Sequence, residues 1–280
     1  MMQQEIKLND IWDAEQSILD EIHRVCRENR LRYSLAYGTL LGAVRHQGFI
    51  PWDDDVDIMM PREDYETLIA LWPTAASREF VLDNCDEHPD SVNNFSKIRK
   101  DKTTFLQFEV ERSRSYHKGF FVDIFPADRV PEGRLARAIQ FLYFSLNLLY
   151  NRGAPSGSSG IVGLAERILL GIVPKKRYHS LSLRFGRLSR RWNKSNRGQY
   201  VLPSTILDCR IYYPADLFDQ LESVRFCGKD YSAVKDWDHA LRLEYGDYMK
   251  LPPEAERVWK HHPILVDFQH NYEELQDSIE

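Results

Sequence analysis

The sequence predicts an α+β fold: a mixed β-sheet flanked by helices, with a helical subdomain inserted in it. Three stretches carry that reading. Residues 37–58 run from the end of a strand through a Gly-Thr turn and a short helix into an acidic strand. Residues 119–126, Gly-Phe-Phe-Val-Asp-Ile-Phe-Pro, make a strongly apolar strand with one carboxylate in it, Asp123. Residues 131–195 show helix patterns in succession. The chain is therefore expected to divide into a core over 1–130, a helical insertion over 131–200, and a C-terminal part over 201–280 that completes the core.

Each element has its own signal. Residues 5–30 read as an amphipathic helix, because Ile11, Ala14, Ile18, Ile22 and Val25 recur at three- and four-residue spacing. Residues 31–37 read as a strand, 40–46 as the short helix, and 55–60 as the acidic strand. Pro61 suits the first turn of a helix over 62–72, and Pro73 is expected to end it. Strands are expected at 79–82, 95–99 and 104–110, with a polar loop over 83–94. Residues 134–150 and 161–173 read as apolar helices and 175–193 as a basic one bearing Arg184, Arg187, Arg190 and Arg191. Helices apolar over most of their surface are usually buried, and burial is the expectation here. The sharper alternative is an amphipathic patch resting on a membrane. Short strands at 212–213 and 221–226 and a helix over 231–245, stopped by Gly246, lead to a tail carrying His261 and His262.

Composition narrows the function. A net charge of -5 and a pI near 6.0 argue against a dedicated nucleic-acid binder. The four cysteines, Cys26, Cys85, Cys209 and Cys227, are scattered, which argues against a zinc site or a disulfide framework and suits a reducing compartment. The opening Met-Met-Gln-Gln-Glu-Ile-Lys has no apolar signal core. No run reaches the ~18 apolar residues that span a bilayer. The expected location is cytoplasmic, with any membrane contact peripheral, at the inner membrane face.

The chemistry is concentrated in the acids. Asp55 and Asp57 stand two apart in an apolar strand, so their carboxylates are expected on one face while Val56 and Ile58 point into the core. Paired carboxylates repel and are costly to desolvate; hard divalent cations, Mg²⁺ or Mn²⁺, relieve that cost. The plainer reading is a solvated acidic turn. Asp123, flanked by Val122 and Ile124, is expected to join them as a third ligand, or else to pair with Lys97 or Arg99. Gly38 and Thr39 open a helix whose backbone amides suit a phosphate.

Residues 38–65, from Gly-Thr-Leu-Leu-Gly-Ala-Val-Arg-His through Pro-Trp-Asp-Asp-Asp-Val-Asp-Ile to Glu-Asp-Tyr, resemble the signature of the LicD family of phosphocholine transferases. That family in turn resembles the fukutin-type ribitol-phosphate transferases. Residues 117–126 and 245–253 are similar to the family's later blocks, whereas 131–215 match none of its motifs. The resemblance implies a nucleotidyltransferase-like fold and Mg²⁺-dependent transfer from a CDP-linked alcohol donor to a glycan or lipid-linked glycan acceptor, with CMP leaving. In those terms Asp55, Asp57 and Asp123 are the catalytic metal carboxylates, and Gly38 and Thr39 hold donor phosphate. Arg45, Lys97 and Arg99 are candidates to neutralise phosphate charge, against an ordinary role in ion pairs. A choline ammonium needs aromatic faces, for which Tyr37, Trp52 and Phe121 are the candidates, with Tyr33 and Tyr245 near in the motif map. Asp53 and Asp54 read as outer carboxylates or solvated ones, and His46, His261 and His262 could serve catalysis, against the commoner role of histidines that cap, pack or face solvent. Transfer of ribitol phosphate, glycerol phosphate or a nucleotidyl group is the first alternative. A metal-dependent glycosyltransferase is the second, and a non-catalytic scaffold on the same fold is the third.

Overall fold

A computed structural model describes residues 7–157, 159–195, 197–259 and 262–277. His261 and the first six residues lie outside the described residues. In chain order the elements are α1 (Leu8–Asn29), β1 (Ser34–Leu35), α2 (Tyr37–His46), β2 (Asp57–Pro61), α3 (Arg62–Ala75), β3 (Phe80–Asp83), β4 (Ser96–Lys100), β5 (Thr104–Leu106), β6 (Phe121–Arg129), α4 (Arg134–Arg152), α5 (Gly160–Ile172), α6 (Tyr178–Ser189), β7 (Tyr200–Val201), β8 (Leu221–Phe226), β9 (Lys229–Val234), α7 (Trp237–Tyr245), β10 (Leu265–Asp267) and α8 (Tyr272–Asp277). The fold is α+β.

The main sheet is mixed and has the order β1-β2-β6-β4-β3, with β7 pairing to the end of β6. β4 is antiparallel to β6 in a register that sets Lys97 opposite Asp123 and Arg99 opposite Phe121. β1 is antiparallel to β2, with Ser34 opposite Met59 and Leu35 opposite Ile58. The order puts β6, with Asp123, directly beside β2, with Asp57.

The chain forms two compact units. The first comprises Met1–Asp83, Ser96–Phe125 and Leu217–Glu280. Its core is continuous: Ile11, Ile18, Leu19 and Ile22 of α1 pack with Leu35, Leu40, Val56, Ile58, Ile98, Val122 and Ile124 of the sheet and α2. α2 closes tightly on the loop that follows it. A Cβ on Gly42 would sit 2.4 Å from the Gly48 carbonyl oxygen, so only glycine fits there. The second unit comprises Asn84–Phe95 and Pro126–Asp216. Within it α4 and α6 pack through Asn147, whose amide donates to the Ser182 carbonyl at 2.9 Å, and through Tyr150 stacked on Phe185 at 6.0 Å. Val130, Phe144, Val201 and Cys209 form its small core.

Four expectations change against these elements. The acidic strand starts at Asp57, and Asp55 lies in the loop before it, so strand alternation does not set the Asp55 carboxylate. Pro73 lies inside α3, in its last turn, where the helix closes on the Ala76 amide bonded to the Trp72 carbonyl. Residues 231–234 are strand: Cys227 and Gly228 both take positive φ, 48° and 80°, and make the two-residue turn of a β8–β9 hairpin. The apolar helix α5 is not buried. Gly163 is its only buried residue, and Ile161, Val162, Leu164, Ile168 and Ile172 are exposed.

Candidate active site

The site is built where α2, the loop after it, β2 and β6 meet. Ala36 and Tyr37 turn the chain from β1 into α2, and Tyr37 takes φ 44°, a left-handed value uncommon for an aromatic residue. Two hydrogen bonds lock this turn to β2. The Ala36 amide donates to the Asp57 carbonyl at 3.0 Å, and the Asp57 amide donates to Thr39 Oγ1 at 2.8 Å. Thr39 thus fixes the acid strand against the start of the helix.

The loop 49–56 brings the other acids back to the same place. Asp53 accepts the Trp12 indole N–H on its backbone carbonyl at 2.8 Å, which ties the loop to α1. Its side chain reaches the first turn of α2: a Cβ on Gly38 would sit 2.6 Å from Asp53 Oδ2. A carboxylate is favoured there by the helix dipole. Gly38 therefore provides room for Asp53 at the helix end where donor phosphate is expected. Asp54 is fully buried.

Asp57 and Asp123 lie side by side across the sheet. The Asp123 amide donates to the Val56 carbonyl at 2.9 Å. Asp57 is 7% exposed. Burial pushes its pKa well above the ordinary carboxylate range, and the charges of Asp55, Asp123 and Asp53 push it further, against Lys97. Burial also raises Asp123, but the Lys97 ammonium, 2.5 Å from its Oδ1, pulls it down. The structure thus brings Asp53, Asp55, Asp57 and Asp123 into mutual electrostatic reach. Among the described residues, no three His, Cys, Asp or Glu side chains already converge as a cage for a metal ion; the Asp123 carboxylate is turned to Lys97.

The remaining candidates divide. Lys97 is at the site, its ammonium also 3.6 Å from the centre of the Phe121 ring. That ring face is thus occupied by a cation of the chain itself. Arg99 is bound within the sheet by Asp83 at 2.8 Å and by the Gly119 carbonyl at 3.0 Å. Arg45 donates to the Tyr248 carbonyl at 2.8 Å, which anchors α2 to the turn after α7. Tyr37 meets Phe125 edge-on at 5.0 Å, and Trp52 meets His46 at 6.4 Å. Tyr245 is 44% exposed as a residue, but desolvation of its hydroxyl end and then the charges of Glu244, Asp57, Asp53 and Asp55 raise its phenol pKa.

One acid at the site is absent from the candidates read in the sequence. Glu15 of α1 is 0% exposed, and neither of its carboxylate oxygens has a hydrogen-bond partner among the described residues. Its sequence signal is an interruption: it stands in the apolar stripe of α1, four residues after Ile11 and three before Ile18.

The donor set suits a hard divalent cation. All its members are carboxylates, the buried ones repel each other, and Glu15 has orphaned oxygens.

Comparison with known proteins agrees with this geometry. The family model described as LicD/FKTN/FKRP, nucleotidyltransferase domain, matches residues 30–141, the span holding Gly38, Asp57, Lys97 and Asp123. The chain is 26% identical over 261 residues to the lipopolysaccharide cholinephosphotransferase LicD of Haemophilus influenzae, covering 88% of this chain and 92% of that one. An uncharacterized protein of Rickettsia prowazekii is 31% identical over 112 residues, covering 38% of this chain and 41% of its own. The signature, the matched domain and a relative aligned along nearly its whole length agree: residues 30–141 match the LicD family model, and the chain as a whole is similar to a member of that family.

Proposed function

We propose that this protein is a metal-dependent transferase that moves phosphocholine from CDP-choline to a hydroxyl of a cell-surface glycan precursor, of lipopolysaccharide or teichoic acid type. The observation that carries the reading is the buried Asp57, crowded by Asp55, Asp123 and Asp53 at the start of α2. The near full-length similarity to a lipopolysaccharide cholinephosphotransferase supports the cargo and the acceptor class.

The reaction is an in-line displacement at the phosphorus nearest choline. The acceptor oxygen forms the new P–O bond, the bond to the CMP phosphate oxygen breaks, and CMP leaves with that electron pair. The acceptor proton goes to a carboxylate, and Asp123 suits the task. Burial raises its pKa and strengthens it as a base, and the Lys97 ammonium beside it offsets part of that rise. Lys97 and the first amides of α2 would meet phosphate charge, the Asp53 carboxylate at that helix end and Asp123 beside Lys97 giving way to the donor. Asp55, Asp57 and Asp123 would hold Mg²⁺ or Mn²⁺, which when bound offsets phosphate charge and polarises the reacting oxygens. Tyr37 and Trp52 offer aromatic surface for the choline ammonium.

The matched family description also names the fukutin relatives, which keeps ribitol phosphate or glycerol phosphate as the second cargo. A donor screen separates them. Purified protein is given CDP-choline, CDP-ribitol or CDP-glycerol with a glycan-lipid extract, and CMP and the labelled product are measured. The proposal predicts product from CDP-choline. Product from another CDP-alcohol alone would replace the cargo.

The acceptor is placed at a membrane surface, the protein being cytoplasmic and peripheral at the inner face. The support is α5. Five large apolar side chains are exposed on it, Ile161 at 87% and Ile172 at 72%, and exposed Lys175, Lys176 and Arg177 follow directly. That pairing of apolar face and basic edge fits an anionic bilayer. No described helix is long and apolar enough to cross a membrane.

A further inference from the structure

We propose that an exposed cationic row on the helical unit, Arg184, Arg187, Arg191 and Lys194, binds the anionic groups of the acceptor glycan, which makes the acceptor a saccharide carrying several phosphates or carboxylates. The proposal rests on the acceptor class given above and deepens it.

Charge is spread unevenly along the chain. The whole sequence has 37 Lys and Arg against 42 Asp and Glu, but residues 133–207 carry 13 against one, Glu166. Self-repulsion on that scale costs stability, and an anionic ligand offsets it. The acids at hand are already taken: Glu166 pairs with Arg152 at 3.4 Å and Asp86 with Arg190 at 3.0 Å. Arg184, Arg187, Arg191 and Lys194 form no ion pair among the described residues.

The packing of α6 fixes where these side chains point. Its buried residues, Ser182, Gly186 and Ser189, are four and three apart and make one face. That face lies against α4. The Asn147 amide donates to the Ser182 carbonyl at 2.9 Å, and the Gln140 amide donates to the Ser189 carbonyl at 3.1 Å. A Cβ on Gly186 would sit 3.2 Å from Asn147 Nδ2. Arg184 and Arg187 stand on the opposite, outward side, and Arg191 and Lys194 continue the row through the 3₁₀ turn Arg190–Lys194; all four are exposed.

The row is about 15 Å long at helical rise, more than one phosphate fills, so its ligand carries several anionic groups. Three of the four cations are arginines, whose planar fork meets a phosphate or carboxylate through two hydrogen bonds. A bilayer fits this face less well than it fits α5. The exposed residues of α6 are Ser180, Arg184 and Arg187, while Leu181, Leu183, Phe185 and Leu188 are half-buried. The outward face therefore offers charge without the exposed apolar side chains that enter a membrane.

The test is binding of a lipid-free acceptor by the full-length protein. The probe is a fluorescently labelled, deacylated lipopolysaccharide oligosaccharide that keeps its phosphates, read by anisotropy with no donor present. Wild type is compared with Arg184→Gln/Arg187→Gln and with Arg134→Gln/Arg167→Gln, two exposed cations of the same unit outside the row. Arg191 is kept, because its guanidinium packs 4.1 Å from the centre of the Trp192 ring. Wild type should bind in a salt-sensitive way. The row variant should raise Kd at least about tenfold, the control variant by no more than about twofold, and removing the phosphates from the probe should weaken wild-type binding at least about tenfold. Tm should match wild type in both variants, because these are surface changes. Equal losses in the two variants, or undiminished binding of the dephosphorylated probe, would overturn the proposal. So would single-stranded DNA of the same charge that competes equally well. Unchanged oligosaccharide binding in a row variant that no longer sediments with phosphatidylglycerol vesicles would give the row to the bilayer and overturn it too. Wild type that releases CMP from CDP-choline but does not bind the oligosaccharide would overturn the row alone. Wild type that does neither would overturn the acceptor reading with it.

Discussion

Lys97 and Asp123 show how one cross-strand pair serves both fold and chemistry. Their side chains are about one-tenth exposed, 10% and 11%, and the ammonium lies 2.5 Å from the carboxylate. Removing the lysine would leave a buried charge without its counter-ion, so Lys97→Met should cost about 3–5 kcal/mol in denaturant unfolding. A loss below about 1 kcal/mol would mean that Asp123 finds another partner. His117 gives a pH prediction. Burial, then the Arg99 charge, lowers its pKa below the usual histidine value, while Asp101 opposes them. Its Nδ1 accepts the Gly119 amide at 3.0 Å, which requires a neutral ring. The unfolded chain then binds more protons than the folded one below about pH 6.5. This residue's contribution is complete above that pH and is lost as pH falls through the lowered folded pKa. His117→Gln should flatten the decline in Tm as pH falls below about 6.5; an unchanged slope would place the titrating group elsewhere. Asp57 and Asp123 were legible in the sequence because each interrupts an apolar run. The partner of Asp123 was not, because Lys97 and Arg99 share strand parity, and only the β4–β6 register separates them. Glu15 interrupts an apolar stripe too, but a helical one, where a lone charge also fits a solvated edge.

At the scale of elements, α2 and α5 carry the sharpest expectations. A Cβ at residue 42 would press on the Gly48 carbonyl, and backbone cannot yield as a side-chain tip can. Gly42→Ala should therefore destabilise by about 1–3 kcal/mol, whereas Gly171→Ala, with nothing within 4 Å of its Cβ, should be neutral or better. Equal effects of the two would contradict the close packing of α2 on its loop. For α5, wild type should sediment with anionic vesicles in a salt-sensitive way. Ile161→Ser combined with Ile168→Ser and Ile172→Ser should release it, since each buried aliphatic side chain contributes about 1.5–3 kcal/mol. Wild type that stays in the supernatant would remove the membrane reading. Helix patterns over α1, α4 and α5 were readable because their periodicity extends over several turns. Residues 231–234 were not, because Tyr-Ser-Ala-Val fits either period and the deciding turn, Cys227-Gly228, precedes it. Burial of α5 could not be read either. An apolar helix looks the same in sequence whether a core or a bilayer covers it.

At the scale of the whole molecule, the sheet order is what assembles the site. Residues 57 and 123 are far apart in the chain, yet β2 and β6 are neighbours, and the Thr39 hydroxyl ties β2 to the first turn of α2 through the Asp57 amide. The α+β class followed from the alternation of elements, but strand order depends on long-range pairing that periodicity does not encode. In the function proposed above, this assembly of acids drives transfer from a CDP-linked donor. Its most direct test is CMP release from CDP-choline, with and without Mg²⁺, by wild type and Asp57→Asn in the presence of a glycan-lipid extract. The account predicts Mg²⁺-dependent release that falls by at least about a hundredfold in Asp57→Asn. Release that persists unchanged in Asp57→Asn, or no release from any CDP-alcohol by protein that binds the metal, would contradict it.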